Sequence, residues 1–113
     1  MHLYRARRRT SPYTLRISVQ PNSDSIAIIL EGRVAGPWAD ELSRTWAEVA
    51  PTIGTRKILL DLCNTTYADA AGISVLRGIY GNTAAQIITS SPWTKYLAEE
   101  ITRVNAIQNE EEI

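Results

Sequence analysis

Residues 57–80 read KILLDLCNTTYADAAGISVLRGIY, and this stretch decides the fold. Ile58, Leu59, Leu60 and Leu62 form an apolar run interrupted only by Asp61. Such a run predicts a strand buried on both faces, as in a parallel sheet. Cys63-Asn64-Thr65-Thr66-Tyr67-Ala68 reads as a short polar loop. Ile73, Leu76, Ile79 and Tyr80 then recur at helical spacing, with Asp69 where the N-cap belongs. A carboxylate there accepts the free N–H groups of the first turn and sits at the positive end of the helix dipole.

Working outward, Leu15, Ile17 and Val19 alternate with polar residues, as do Ile26, Ile28 and Leu30 after the turn residues Pro21-Asn22-Ser23-Asp24. These two runs predict an antiparallel hairpin ended by Glu31-Gly32-Arg33. Gly36-Pro37 opens a helix whose stripe is Trp38, Leu42, Trp46 and Val49 with Ala39 and Ala50, closed by Pro51 and Gly54. Beyond the central helix, Gly81-Asn82 reads as a turn and Ala84, Ala85, Ile87 and Ile88 as a buried strand. Ser91-Pro92 starts a last helix carrying Trp93, Leu97, Ile101 and Val104. The expectation is an α/β domain over 13–104 in the order β-β-α-β-α-β-α, a mixed, mainly parallel four-stranded sheet packed with helices. Residues 1–12 are expected to form a basic flexible arm and 105–113 an acidic flexible tail.

The 113 residues suffice for one core, and 12 basic side chains balance 12 acidic ones. That balance implies no nucleic-acid partner, although Arg5, Arg7, Arg8, Arg9 and Arg16 all precede the first acidic residue, Asp24. No apolar run approaches the roughly 20 residues of a membrane span, and the arginines at the N-terminus lack the apolar core of a secretory signal. A lone cysteine fits a reducing cytoplasm. Catalysis needs a nucleophile with a base, paired carboxylates or a metal set. His2, the only histidine, lies in the arm, and Cys63 reads as a small apolar filler. Asp61 and Asp69 are the one suggestive carboxylate pair, with strand-end hydrogen bonding and helix capping as their structural roles. Neither a phosphate-cradling loop nor a dinucleotide fingerprint is present, so no enzyme, metal or cofactor is expected.

The order Asp61-Leu62, then Asp69-Ala70-Ala71-Gly72-Ile73 and Leu76 between a buried strand and a helix, resembles the STAS domains, the anti-sigma factor antagonists. That family shows Asp-Ser-Ser-Gly-Leu at the junction, and a glycine usually follows its second strand, where this chain has Gly32. The resemblance implies a cytoplasmic, non-catalytic protein-interaction module in signalling or transcription regulation. Its partner would be an anti-sigma factor of serine-kinase type. Alternatively, the resemblance admits an accessory subunit bound to the ABC ATPase of a lipid transporter, or a small-ligand or nucleotide sensor. In phosphoregulated members a kinase modifies the serine after the aspartate, and here Ala70 and Ala71 carry no hydroxyl. Thr65, Thr66 and Ser74 are the hydroxyls close enough to substitute. The partner-binding group expected from the junction is Asp69, Ala70, Ala71 and Gly72, continued along the helix by Ser74, Arg77 and Gly78. A homodimer through Trp38 or the hairpin edge is a further expectation.

Overall fold

The computed structural model describes residues 4–5 and 14–103. Strands β1 (Tyr4–Arg5), β2 (Leu15–Pro21) and β3 (Ser25–Val34) precede helix α1 (Pro37–Val49) and a short 3-10 turn, Ala50–Thr52. Strand β4 (Lys57–Ala68), helix α2 (Ala70–Thr83), strand β5 (Gln86–Ile88) and helix α3 (Pro92–Thr102) follow. The sheet runs β1-β2-β3-β4-β5, with β1/β2 and β2/β3 antiparallel and β3/β4 and β4/β5 parallel. The fold is therefore α/β on a mixed sheet, with β4 inside it. Of the arm expected over 1–12, only Tyr4–Arg5 are described, and they extend the sheet instead of being unstructured. The remainder of the arm, the tail over 105–113 and Val104 lie outside the described residues.

The hairpin forms as its alternation predicts. Leu15, Ile17, Val19, Ile26, Ile28 and Leu30 are buried, while Arg16, Ser18, Ala27, Ile29 and Glu31 are half-buried. Asn22 shapes the turn: its Oδ1 accepts the N–H of Ser25 at 3.1 Å, and its own N–H donates to the Ser25 carbonyl. Gly32 has φ +109°, and a Cβ there would lie 2.3 Å from the carbonyl oxygen of Thr14. Only glycine suits that close strand crossing.

β4 departs from the expected reading in two ways. First, it is buried on one face only: Ile58, Leu60 and Leu62 are in the core, whereas Leu59, Asp61 and Cys63 are half-buried. The strand order explains this. From β3 to β4 to β5 the chain always steps the same way across the sheet, and parallel crossovers are almost always right-handed. Both connecting helices therefore fall on one face, and α3 joins them through Arg77, whose Nε donates to the Glu100 carbonyl at 3.0 Å. The core lies between this helical layer, with Leu42, Leu76, Ile79, Leu97 and Ile101, and the facing side of the sheet.

Second, the loop expected at Cys63–Ala68 is strand. Along β3 the register passes from Ile29 to Glu31 while β4 passes from Asp61 to Asn64, and from Gly32 to Arg33 while β4 passes from Thr65 to Tyr67. Each bulge inserts one extra residue into β4. Core positions Leu62, Thr65 and Ala68 consequently fall three apart rather than two, which hides the strand period. Thr65, Thr66 and Tyr67 also favour the pleated conformation.

The helices hold smaller surprises. Thr45 is buried in α1, its hydroxyl donating to the Glu41 carbonyl at 3.0 Å, while Trp38 and Trp46 are only half-buried at the edge of the core. α2 runs through Gly81-Asn82, expected as a turn, to Thr83. Ala84, expected in a strand, is its C-cap at φ 53° and ψ 46°, its N–H donating to the Tyr80 carbonyl at 2.7 Å. β5 keeps only Gln86–Ile88, and Ile87 and Ile88 are half-buried because β5 is the edge strand among the described residues. A left-handed alanine is strained where glycine is not. Ala84→Gly is expected to raise stability by about 0.5–1 kcal/mol, read as a higher denaturant midpoint at unchanged slope. A lower midpoint would show that Ala84 is not strained.

Candidate functional site

The junction between β4 and α2 is built around Asp69. Its extended backbone (φ −91°, ψ −177°) lets the side chain turn back over the first helical turn, where Oδ1 accepts the N–H of Gly72 at 2.8 Å. Oδ2 accepts the N–H of Gly36 at 2.9 Å. Gly36 precedes α1 with φ 57° and has no side chain to cap that helix, so the carboxylate of Asp69 ties the start of α1 to the start of α2. The same residue's N–H donates to the Val34 carbonyl at 3.3 Å. The N–H groups of Gly36 and Gly72, in that order, hold the Asp69 carboxyl below its ordinary range.

Gly72 lies against the last residue of β3. A Cβ at Gly72 would stand 2.0 Å from the Val34 carbonyl oxygen. Gly72 is thus buried and unavailable to a partner, whereas Ala70 and Ala71 are exposed on the first turn. Ser74 and Gly78 are exposed further along α2, with Gly81 beyond them. Outside their own helical turns, no atom of the described residues comes within 4 Å of a Cβ built at Gly78 or Gly81. Arg77 turns toward α3, with its Nη2 3.8 Å from the Glu100 carboxylate in addition to the carbonyl bond. The expected partner-binding group therefore separates. Ala70, Ala71, Ser74 and Gly78 share an open helical surface, while Asp69, Gly72 and Arg77 hold the fold.

Among the substitute hydroxyls, Thr65 is 2% exposed and donates to the Leu30 carbonyl at 3.1 Å, so a kinase cannot reach it in the folded chain. Thr66 and Ser74 are exposed. Asp61 and Asp69 do not form a pair: eight positions of extended chain, roughly 25 Å, separate them. Asp61 Oδ1 instead accepts the Cys63 N–H at 2.9 Å. Its hydrogen bond to the Cys63 side chain, with partial burial, pushes the thiol pKa up and away from thiolate chemistry. Among the described residues no three His, Cys, Asp or Glu side chains converge as a metal set. No helix there is long and apolar enough to cross a membrane.

Sequence reasoning missed the contacts that surround this junction. Arg33 stacks 4.3 Å over the ring of Tyr67, which is 41% exposed. Trp93 Nε1 donates to the Thr65 carbonyl at 2.9 Å, and its ring lies 6.1 Å from that of exposed Tyr96. A cleft of about 700 Å³ opens beside it, lined by Thr89, Ser90, Ser91, Pro92 and Lys95. Both serine hydroxyls are already committed: Ser90 Oγ donates to the Cys63 carbonyl and Ser91 Oγ accepts the Thr94 N–H. The pairs Arg33–Tyr67, Thr65–Trp93 and Cys63–Ser90 lie 27 or more residues apart and leave no local signal. The strand order also never reverses from β2 to β5, so the sheet lacks the crevice where α/β proteins usually seat ligands.

No protein-family model matches this chain, and no curated protein matches it.

Proposed function

We propose that the chain is a non-catalytic protein-interaction domain of the STAS, anti-sigma-factor-antagonist type, which docks through the outer surface of α2 and works without phosphorylation at the usual position. The observation that carries this reading is the small-residue surface of Ala70, Ala71, Ser74 and Gly78, continued by Gly81. Gly78 costs an exposed helix about 1 kcal/mol relative to alanine, and no contact among the described residues requires it. Close approach of a partner gives it a purpose. The α/β class on a mixed sheet and the aspartate-capped strand-to-helix junction support this reading. On this reading the domain is cytoplasmic, and its partner is a serine-kinase-type anti-sigma factor or another signalling protein.

Alanine at 70 and 71 leaves the antagonist permanently in its binding form, because phosphate would add about two negative charges to the docking surface. With the cognate kinase and ATP, the wild-type chain is expected to gain no phosphate, while Ala70→Ser gains one and loses affinity. Phosphate mapped to Thr66 or Ser74 of the wild type would overturn the phosphate-free mechanism. Gly78 supplies the second check. Gly78→Ala should raise stability by about 1 kcal/mol, and Gly78→Leu should retain the fold yet weaken partner binding at least tenfold. Unchanged binding by Gly78→Leu would remove α2 as the docking surface.

A further inference from the structure

β4 outruns the strand beside it. β5 pairs only with Leu59, Leu60 and Asp61, so among the described residues Leu62–Ala68 has no strand on that side. A bare edge presents unpaired N–H and C=O groups that template pairing with another chain. The segment Leu62–Ala68, LCNTTYA, heightens that hazard: it is strand-prone and carries no charge, proline or glycine.

Side chains occupy this edge instead. Continuing the ladder two residues past Asp61 and Ile88 would set Ser90 opposite Cys63. The backbone has turned toward α3 by then, and Ser90 Oγ donates to the Cys63 carbonyl at 3.1 Å in place of a ladder bond. One alternation further, Trp93 Nε1 takes the Thr65 carbonyl at 2.9 Å. Asp61 Oδ1 takes the Cys63 N–H at 2.9 Å. Neither donor is otherwise needed for α3: the Ser90 N–H donates separately to Thr94 Oγ1, and the cap is Ser91.

We propose that Ser90 and Trp93 are edge caps that keep β4 closed to strand addition, and that without them two copies of this chain pair through Leu62–Ala68. Ser90→Ala combined with Trp93→Phe removes both donors while keeping the backbone bond and an aromatic ring. In sedimentation over a concentration series, the wild-type chain should hold one mass while the double variant rises toward twice its own. Cys63 lies within the edge and reports the contact. Antiparallel pairing centred on Thr65 sets the two Cys63 residues four positions, roughly 14 Å, apart along the edge, so the variant dimer should cross-link through a bis-maleimide of that span and a Cys63→Ser version should not. A cooperatively melting double variant that keeps the wild-type mass throughout overturns the proposal, as does a dimer that fails to cross-link through Cys63. Should the double variant lose cooperative melting, Trp93→Phe alone is subject to the same two readouts.

Discussion

Gly72→Ala is expected to destabilise the domain by about 3 kcal/mol or more, the largest effect of any single methyl group added to α2. The new Cβ would meet the Val34 carbonyl oxygen at 2.0 Å and both the Val34 carbonyl carbon and Cγ1 at 3.0 Å. No side-chain rotation relieves a backbone collision. The Val34 oxygen is also held in place, because it accepts the Asp69 N–H. Relief requires α2 to lift from the end of β3, which opens the core around Leu76 and Ile79. Against a total stability of roughly 5–15 kcal/mol, such a loss removes much of the folded population's margin. The control is the same change on the same helix at Gly78 or Gly81, where the space is open and alanine should stabilise. A Gly72→Ala midpoint within about 1 kcal/mol of wild type would show that the helix can shift without cost.

Asp69→Ala is expected to cost about 2–3 kcal/mol, because two bonds to an ionised carboxylate are lost at once. One caps α2 through Gly72, and the other holds the start of α1 through Gly36. Asp69→Asn keeps one acceptor oxygen and loses the charge, so it should fall between wild type and alanine. The pH dependence has a defined sign. The folded-state pKa lies below the ordinary value of 3.8, so the carboxylate's contribution is fully present above that value. It disappears as pH falls further, through the folded-state pKa. The stability gap between wild type and Asp69→Asn should therefore hold from neutral pH to about pH 4–5 and narrow below that. A gap that stayed constant into strong acid would mean that the charge of Asp69 contributes nothing to the junction.

Both effects arise at positions the sequence marks, but for reasons it does not contain. Asp69 before an amphipathic segment announces a cap, and the Gly72 N–H takes that role. The second acceptor bond goes to a residue 33 positions away, which no local pattern reveals. Ser91-Pro92 likewise announces α3, and the reciprocal cap with Thr94 is found there. At the end of α2 a local signal pointed the wrong way. Gly81-Asn82 looks like a helix stop, yet α2 continues to Thr83 and ends on a strained alanine.

By itself the sequence determined the order of the strands and helices from β2 to α3, where the hairpin turns, and where α2 and α3 begin. These follow from side-chain periodicity and capping chemistry, which act over a few residues. Tertiary structure decided the length of β4, because two bulges against β3 disguise its alternation. It also decided which face of the sheet is covered. An apolar run states only that a strand can be buried, whereas the direction in which successive crossovers step across the sheet sets where the helices lie.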